Sequence, residues 1–474
     1  MINLSEVKHV HCIGIGGIGL SAIAEILINE GYTVSGSDMN EGDTIDRLIK
    51  SGATVSLGHR EKNVTGADLI VYSAAIHKTN PERLAAEALG IPTVTRAQLL
   101  GHLMSEKNKS VAVAGAHGKT TTTSIISLLM MNAGFDPTIL VGGNLSEING
   151  NVKLGQSEYF VTEACEYMDS FLSLAPKYAV LLNIDEDHLD YFKNIEHIVS
   201  SFYEFARLVP IDGAVVAFDE NPFVESIIRE IDRRVITFGF SDEKDYSASD
   251  IAWNADGFPS FTVKKKGEPL CDVQLAVPGQ HNISNALAAI ACCHDMGVST
   301  EIITKTMKEF TGTQRRFDEQ GTTSTGVRIV DDYGHHPTEI MATIKAARNI
   351  PHKNLWVLFQ PHTYTRTLAL HDDFAEALEQ ADKIVLAEIY AAREKNIHQL
   401  SSKTIAAEIK NINPAKESFY FKEFEDIAKF VINNAEEGDL VITMGAGDIY
   451  KVGTRILEID DESMGRNYDA KKIL

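Results

Sequence analysis

The stretch Gly115-Ala116-His117-Gly118-Lys119-Thr120-Thr121 follows the apolar run Val111-Ala112-Val113-Ala114 and leads into the apolar Ile125-Ile126-Ser127-Leu128-Leu129. A strand that turns through Gly-x-x-Gly-Lys-Thr into a helix constrains this chain more than any other feature. Backbone amides in such a loop cradle phosphates, Lys119 offsets charge on the β- and γ-phosphates, and the Thr120 hydroxyl reaches Mg²⁺. Val113 stands where the longer form of the motif has its first glycine. A Thr-rich helix start without a ligand is the plain alternative, but four successive threonines are poor helix formers. Gly115, Ala116, His117, Gly118, Lys119, Thr120 and Thr121 are therefore the candidate ATP-binding residues.

Around this unit, apolar β-rich runs alternate with helical patterns, which predicts an α/β fold with parallel sheets covered on both faces. At 474 residues the chain has room for about three domains. The pattern predicts a strand over Val10–Ile13, a helix over Ser21–Asn29 and a strand over Thr33–Ser35. The polar stretch 105–109 reads as a linker. A strand entering 178–188 ends in an acidic loop, 245–277 reads as a meander with Lys264–Lys266 at a hairpin tip, and a third alternation begins at 328. Boundaries near 107/108 and 312/313 divide the chain into 1–107, 108–312 and 313–474.

Formal charge bears on partners. Lys and Arg total 44 against 66 Asp and Glu, a net of −22. That argues against nucleic acid or an anionic membrane as partner, since both require a broad basic surface. No apolar run approaches the roughly 20 residues of a membrane span. The five cysteines form no CxxC pair, so a reduced, cytoplasmic setting is expected, as monomer or homodimer.

Other motifs bring chemistry of their own. Gly14-Ile15-Gly16-Gly17-Ile18-Gly19 fits G-x-G-x-x-G, and Asp38 follows at the end of the next strand. Such a loop lets amides approach a diphosphate and says little about what the diphosphate carries; taken alone it suggests NAD or FAD. Glu163 ends a short β-like run, where open α/β sheets place ligands. His188 ends the next one, although an imidazole is an unusual donor for Mg²⁺. Gly279-Gln280-His281-Asn282 opens a helix with Asn285 one turn on; Asn282 reads equally as purine contact or cap. Arg315-Arg316, Asp331-Asp332-Tyr333-Gly334-His335-His336-Pro337 and Gln360–Arg366 are polar clusters at loop positions. Pro337 suits a helix start, which leaves the histidine pair on the loop before it.

In order and spacing, these motifs resemble the Mur ligases of bacterial cell-wall synthesis nearly end to end. The resemblance implies three domains: a Rossmann-like N-terminal unit, a central P-loop ATPase-type unit and a C-terminal Rossmann-like unit. It implies ATP-dependent ligation of L-alanine to the lactyl carboxylate of UDP-N-acetylmuramate through an acyl phosphate, with Mg²⁺. Gly14, Gly16, Gly17, Gly19 and Asp38 would then bind the nucleotide sugar, and Thr120, Glu163 and His188 the metal. His281, Asn282 and Asn285 would lie near the adenine, Asp332 near the ribose and Arg316 near the γ-phosphate. Tyr333, His336 and Arg366 would line the amino-acid side, with His335 or His336 as proton acceptor or positioning group beside Lys119 and Arg316. Two departures stand out. Glu163-Ala164-Cys165-Glu166-Tyr167-Met168 replaces the family's E-A-D-E-S-D, and Thr363 stands where many members have Arg. A sister ligase for a whole tripeptide, a non-catalytic nucleotide sensor and an NAD-dependent oxidoreductase are the competing expectations.

Overall fold

The computed structural model describes residues 4–73, 75–189, 191–392 and 394–465. The expected α/β alternation is observed, as three sheets. The first is parallel, in the order Thr54–Leu57, Thr33–Asp38, His9–Ile13, Leu69–Tyr72, Thr93–Thr95. Strand order reverses between His9–Ile13 and Leu69–Tyr72, so the crevice of this sheet opens at their C-terminal ends.

The second sheet has ten strands. Lys109–Ala114 lies between Tyr159–Glu163 and Tyr178–Leu181, all parallel. Beyond them, Tyr246–Trp253, Pro259–Lys265 and Glu268–Gln274 form the expected antiparallel meander. Its tip turns at Lys266 and Gly267, both with positive φ. The third sheet runs Asp318–Thr322, Arg328–Asp332, Leu440–Met444, Leu355–Phe359, Lys383–Leu386, Glu417–Tyr420. Only its first strand is antiparallel to its neighbour.

Several element limits differ from the sequence reading. The first helix spans Ile18–Asn29, starting before Ser21, because its first turn rises directly from the glycine loop. The next strand extends to Asp38, since Gly36, Ser37 and Asp38 pair with Val55, Ser56 and Leu57. The strand at 178 stops at Leu181, and the rest of the run to 188 is loop. Between the first two units only Glu106–Asn108 connect, because Ser105 closes a helix and Lys109 opens a strand. Asp318–Thr322 and Glu417–Tyr420 lie at opposite edges of their sheet and show no clear apolar alternation.

One apolar cluster runs from Val10 and Leu27 through Leu99 and Leu103 to Phe171, Phe202 and Phe205. The first and second units thus share a core. At their junction a Cβ on Gly101 would stand 1.7 Å from Ser173 O, so only glycine permits the helix Arg96–Ser105 to approach. The third unit has its own clusters around Phe359 and Trp356. All five cysteines are unpaired, and Cys12, Cys292 and Cys293 are buried. Among the described residues no helix is long and apolar enough to cross a membrane.

Candidate active site

Two helices start at glycine loops and leave backbone donors free. In the first unit, Gly14 and Ile15 donate to Ser37 O, Gly17 to Gly14 O, and Gly16 to Asp38 Oδ2 at 2.9 Å. Among the described residues, the amides of Ile18 and Gly19 have no acceptor. Of the predicted set Gly14, Gly16, Gly17, Gly19 and Asp38, therefore, Gly19 presents an open N–H, while the others shape the turn. In the second unit, the helix Lys119–Asn132 begins at Gly118, whose φ of 86° is left-handed. A Cβ there would meet Asn285 Oδ1 at 2.4 Å. The amides of Gly118, Lys119, Thr120 and Thr121 are unpaired among the described residues, an open cradle for an anion at a helix N-terminus.

The loop is held from behind by a residue the sequence reading passed over. Asn183 accepts from His117 N at 2.9 Å and donates to His117 O at 3.0 Å. Lys119 Nζ donates to Gly115 O at 2.5 Å and to both Glu166 oxygens at 3.0 and 3.1 Å. Burial opposes the Lys119 charge, but Glu166 outweighs it and holds the amine up to about 12.

A metal has oxygen-rich surroundings here. Glu163 Oε1 accepts from Gly142 N at 2.6 Å, and Oε2 has no donor among the described residues. Thr120 is nearly buried at the helix start. His188 groups with Glu166 and Asp187, ligand atoms within 4.8 Å of one another, rather than with Glu163. Its backbone is left-handed at φ 55°, and the Tyr167 ring lies 4.8 Å from its ring. Carboxylates and a hydroxyl with one imidazole fit Mg²⁺, a hard cation that takes oxygen donors first.

The third unit closes on this loop through polar contacts. Arg366 pairs with Asp187 at 2.5 Å, and Thr338 donates to Asp185 at 2.9 Å. His117 stands between Asp185 at 3.0 Å and Glu339 at 3.4 Å. Burial disfavours its cation, yet these carboxylates push it up to about 9. Burial would also raise Asp187, but His188 and Arg366 hold it well below the usual range. Arg316 lies 3.7 Å from Glu339. Glu339 is the third residue of its helix and completes a capping box with His336; the His-Pro-Thr-Glu run carried that signal. His117, Asp185 and His336 also place ligand atoms within 4.8 Å of one another. Partners for His336 thus come from another unit, invisible to local spacing.

The two histidines differ. His336 Nδ1 accepts from Thr338 N, so Nε2 carries the proton and donates to Glu186 O at 3.2 Å. His335 Nδ1 donates to Tyr333 O at 3.1 Å, leaving Nε2 as a free lone pair. Burial pushes His335 down to about 4. Tyr333 sits under Arg315 and Arg316, at 4.9 and 5.1 Å from its ring.

A cleft of about 730 Å³ opens beside His336, lined by Phe223, Trp253, His281, Met341, Lys345 and Leu370 among others. His281 is held down to about 4, by burial first and Arg316 second. Asn282 and Asn285 do not line it: Asn282 donates to Pro278 O at 2.7 Å, and Asn285 to Asn282 at 3.1 Å. Asp332 is buried, accepting from Phe317 N at 2.9 Å and Gly334 N at 2.8 Å. Burial raises it to about 6.

A phosphate cradle in a central α/β unit, flanked by a diphosphate-type loop and a closing third unit, defines a three-part nucleotide-dependent enzyme. Family comparison agrees unit by unit. Residues 9–108 match the Mur ligase family catalytic domain, 113–293 the Mur ligase middle domain, and 315–447 the Mur ligase glutamate ligase domain. The chain belongs to the Mur ligase family. It is 50% identical over 457 residues to a UDP-N-acetylmuramate–L-alanine ligase of Caldanaerobacter subterraneus subsp. tengcongensis, covering 96% of this chain and 99% of that one. Among solved structures, the UDP-N-acetylmuramate–alanine ligase of Thermotoga maritima superposes with a TM-score of 0.81 at 29% identity, over 96% of this chain and 99% of that one. A murein peptide ligase of Psychrobacter arcticus gives 0.72 at 26%, over 96% and 98%.

Proposed function

We propose that this chain catalyses ATP-dependent ligation of L-alanine to UDP-N-acetylmuramate, in units 1–107, 108–312 and 313–474. The observation that carries the reading is the meeting of two units at one loop: Lys119 with the open amides of Gly118–Thr121 on one side, Arg316 and Arg366 on the other. The nucleotide sugar enters the first unit with its diphosphate toward Ile18 and Gly19. ATP lies with its phosphates on the Gly115–Thr121 loop and its base in the cleft lined by His281.

The lactyl carboxylate oxygen attacks the γ-phosphorus, the bond to the bridging oxygen breaks, and ADP leaves an acyl phosphate. Two anions meet in that step, so Lys119 and Arg316 neutralise charge and align the groups. Thr120, Glu163 and His188, with Glu166 and Asp187 at hand, would hold Mg²⁺, which when bound would supply further charge neutralisation. The alanine amine then attacks the acyl carbon, loses a proton and displaces phosphate. Arg366 faces the amino-acid carboxylate after exchanging it for Asp187, and Tyr333 closes that side. His335 Nε2 is the open proton acceptor, whereas both nitrogens of His336 are engaged.

Phosphate release from ATP with UDP-N-acetylmuramate tests this, comparing no amino acid, L-alanine, glycine, L-serine and an L-alanine-led tripeptide, with product mass. Release that requires L-alanine and adds one alanyl residue is expected. Turnover with the tripeptide alone would move the chain to the peptide-ligase branch, and silence despite ATP binding would leave a sensor.

A further inference from the structure

Beneath the glycine loop of the first unit lies a chain of polar groups that the mechanism does not use. Its centre is Glu82, second residue of the helix Pro81–Ala88 and fully buried. Ser37 Oγ donates to Glu82 Oε2 at 2.6 Å, Asn63 Nδ2 to Oε1 at 2.5 Å, and Arg60 N to Oε1 at 3.1 Å. His11 Nε2 and His59 Nδ1 lie 3.4 and 3.5 Å from Oε2. Burial raises the carboxyl, yet these contacts hold it down to about 2, so Glu82 acts as an acceptor only.

Counting protons fixes the donors. Ser37 gives its one hydrogen to Glu82, so its oxygen accepts from His59 Nδ1 at 2.9 Å. On the other side, Gly66 O, His9, Ser35, His11 and Glu82 form a continuous line. Its links are Gly66 O to His9 Nδ1 at 2.8 Å, His9 Nε2 to Ser35 at 2.7 Å, and Ser35 to His11 Nδ1 at 2.8 Å. The line ends in the His11 contact with Glu82.

Ser37 is also where the glycine loop hangs. Its carbonyl accepts from Gly14 N at 2.8 Å and Ile15 N at 3.1 Å, and its neighbour Asp38 holds Gly16 N at 2.9 Å. We propose that Glu82 is a positioning residue for the nucleotide-sugar diphosphate: through Ser37 it fixes the turn that aims the free amides of Ile18 and Gly19. This rests on the reading that the glycine loop takes a diphosphate. A buried carboxylate engaged by several donors holds the turn more firmly than neutral hydrogen bonds do.

The test is Glu82→Gln in the full chain, which keeps shape and removes charge. UDP affinity by calorimetry and KM for UDP-N-acetylmuramate are expected to weaken about tenfold, while kcat and KM for ATP stay within about twofold. A folded variant with unchanged UDP affinity overturns the proposal. Should Glu82→Gln fail to fold, Ser37→Ala is expected to show the same split, and unchanged affinity there overturns it equally. Wild-type chain that binds no UDP would overturn the diphosphate reading and the proposal with it, an outcome distinct from an insensitive variant.

Discussion

Lys119 Nζ and the Glu166 carboxylate form a half-buried ion pair at 3.0 Å, at the mouth of the loop where phosphates are placed. An arriving nucleotide has to take Lys119 away from Glu166. Glu166→Gln is therefore expected to tighten ATP binding without divalent metal by about tenfold, the worth of one charge-assisted contact. Calorimetry in the presence of a chelator reads it. Equal affinity in the variant would mean that Lys119 leaves Glu166 at no cost. Lys119→Ala is expected to abolish ATP turnover.

His117 joins the second and third units by sitting between Asp185 and Glu339. Its proton is held to about pH 9, against an unperturbed value near 6.5. A raised histidine stabilises fully below the unfolded value, and that contribution is lost as pH rises through the folded one. Docking of the third unit is therefore expected to loosen progressively between about pH 6.5 and 9. X-ray scattering of the nucleotide-free chain should show the radius of gyration rising over that range. His117→Asn should flatten the profile; a wild-type radius that ignores pH would refute the bridge.

The histidine pair should separate by variant. His336 caps its helix, so His336→Ala is expected to cost about 1 kcal/mol of stability by thermal unfolding. His335→Ala should leave the melting temperature in place and slow amine attack about a hundredfold. Single-turnover measurement of product formation distinguishes that from slower phosphate transfer. The reverse pattern would exchange their roles.

Arg366 and Asp187 meet at 2.5 Å across the unit boundary. Arg366→Lys keeps charge and loses the planar fork that suits a carboxylate. KM for L-alanine is expected to rise about tenfold with KM for ATP unchanged. An unaltered alanine KM would remove Arg366 from the amino-acid side.

Local signals carried much of this. The Gly-Lys-Thr turn, the glycine loop and Pro337 each mark a helix start, because small residues and fixed φ announce themselves over a few positions. What escaped was tertiary. Asn183 reaches the phosphate loop 66 residues away, and Glu82 meets His11 over 71. No local period links such pairs. Asn282 reads from sequence as either cap or base contact; it is neither, being the third residue of the helix that Gly279 caps and standing off the cleft, with its amide donated to Pro278 O. Strand ends suggest Glu163 and His188 as one metal set, yet the strand before His188 stops at Leu181 and the loop brings His188, with its left-handed backbone, to Glu166 and Asp187.

The first two units share an apolar core, while the phosphate-loop face of the third is met by carboxylates, imidazoles and guanidinium groups. Such a seam responds to ionic strength. Closed, its pairs are partly shielded from counterions; parted, they stand in solvent where salt at 0.15 M screens charges beyond about 8 Å. Added salt thus favours the parted state, easing departure of ADP and product while hindering capture of the next ATP. Turnover limited by release would quicken with moderate salt and then fall as capture becomes limiting, so the salt optimum itself reports which half of the cycle is slow.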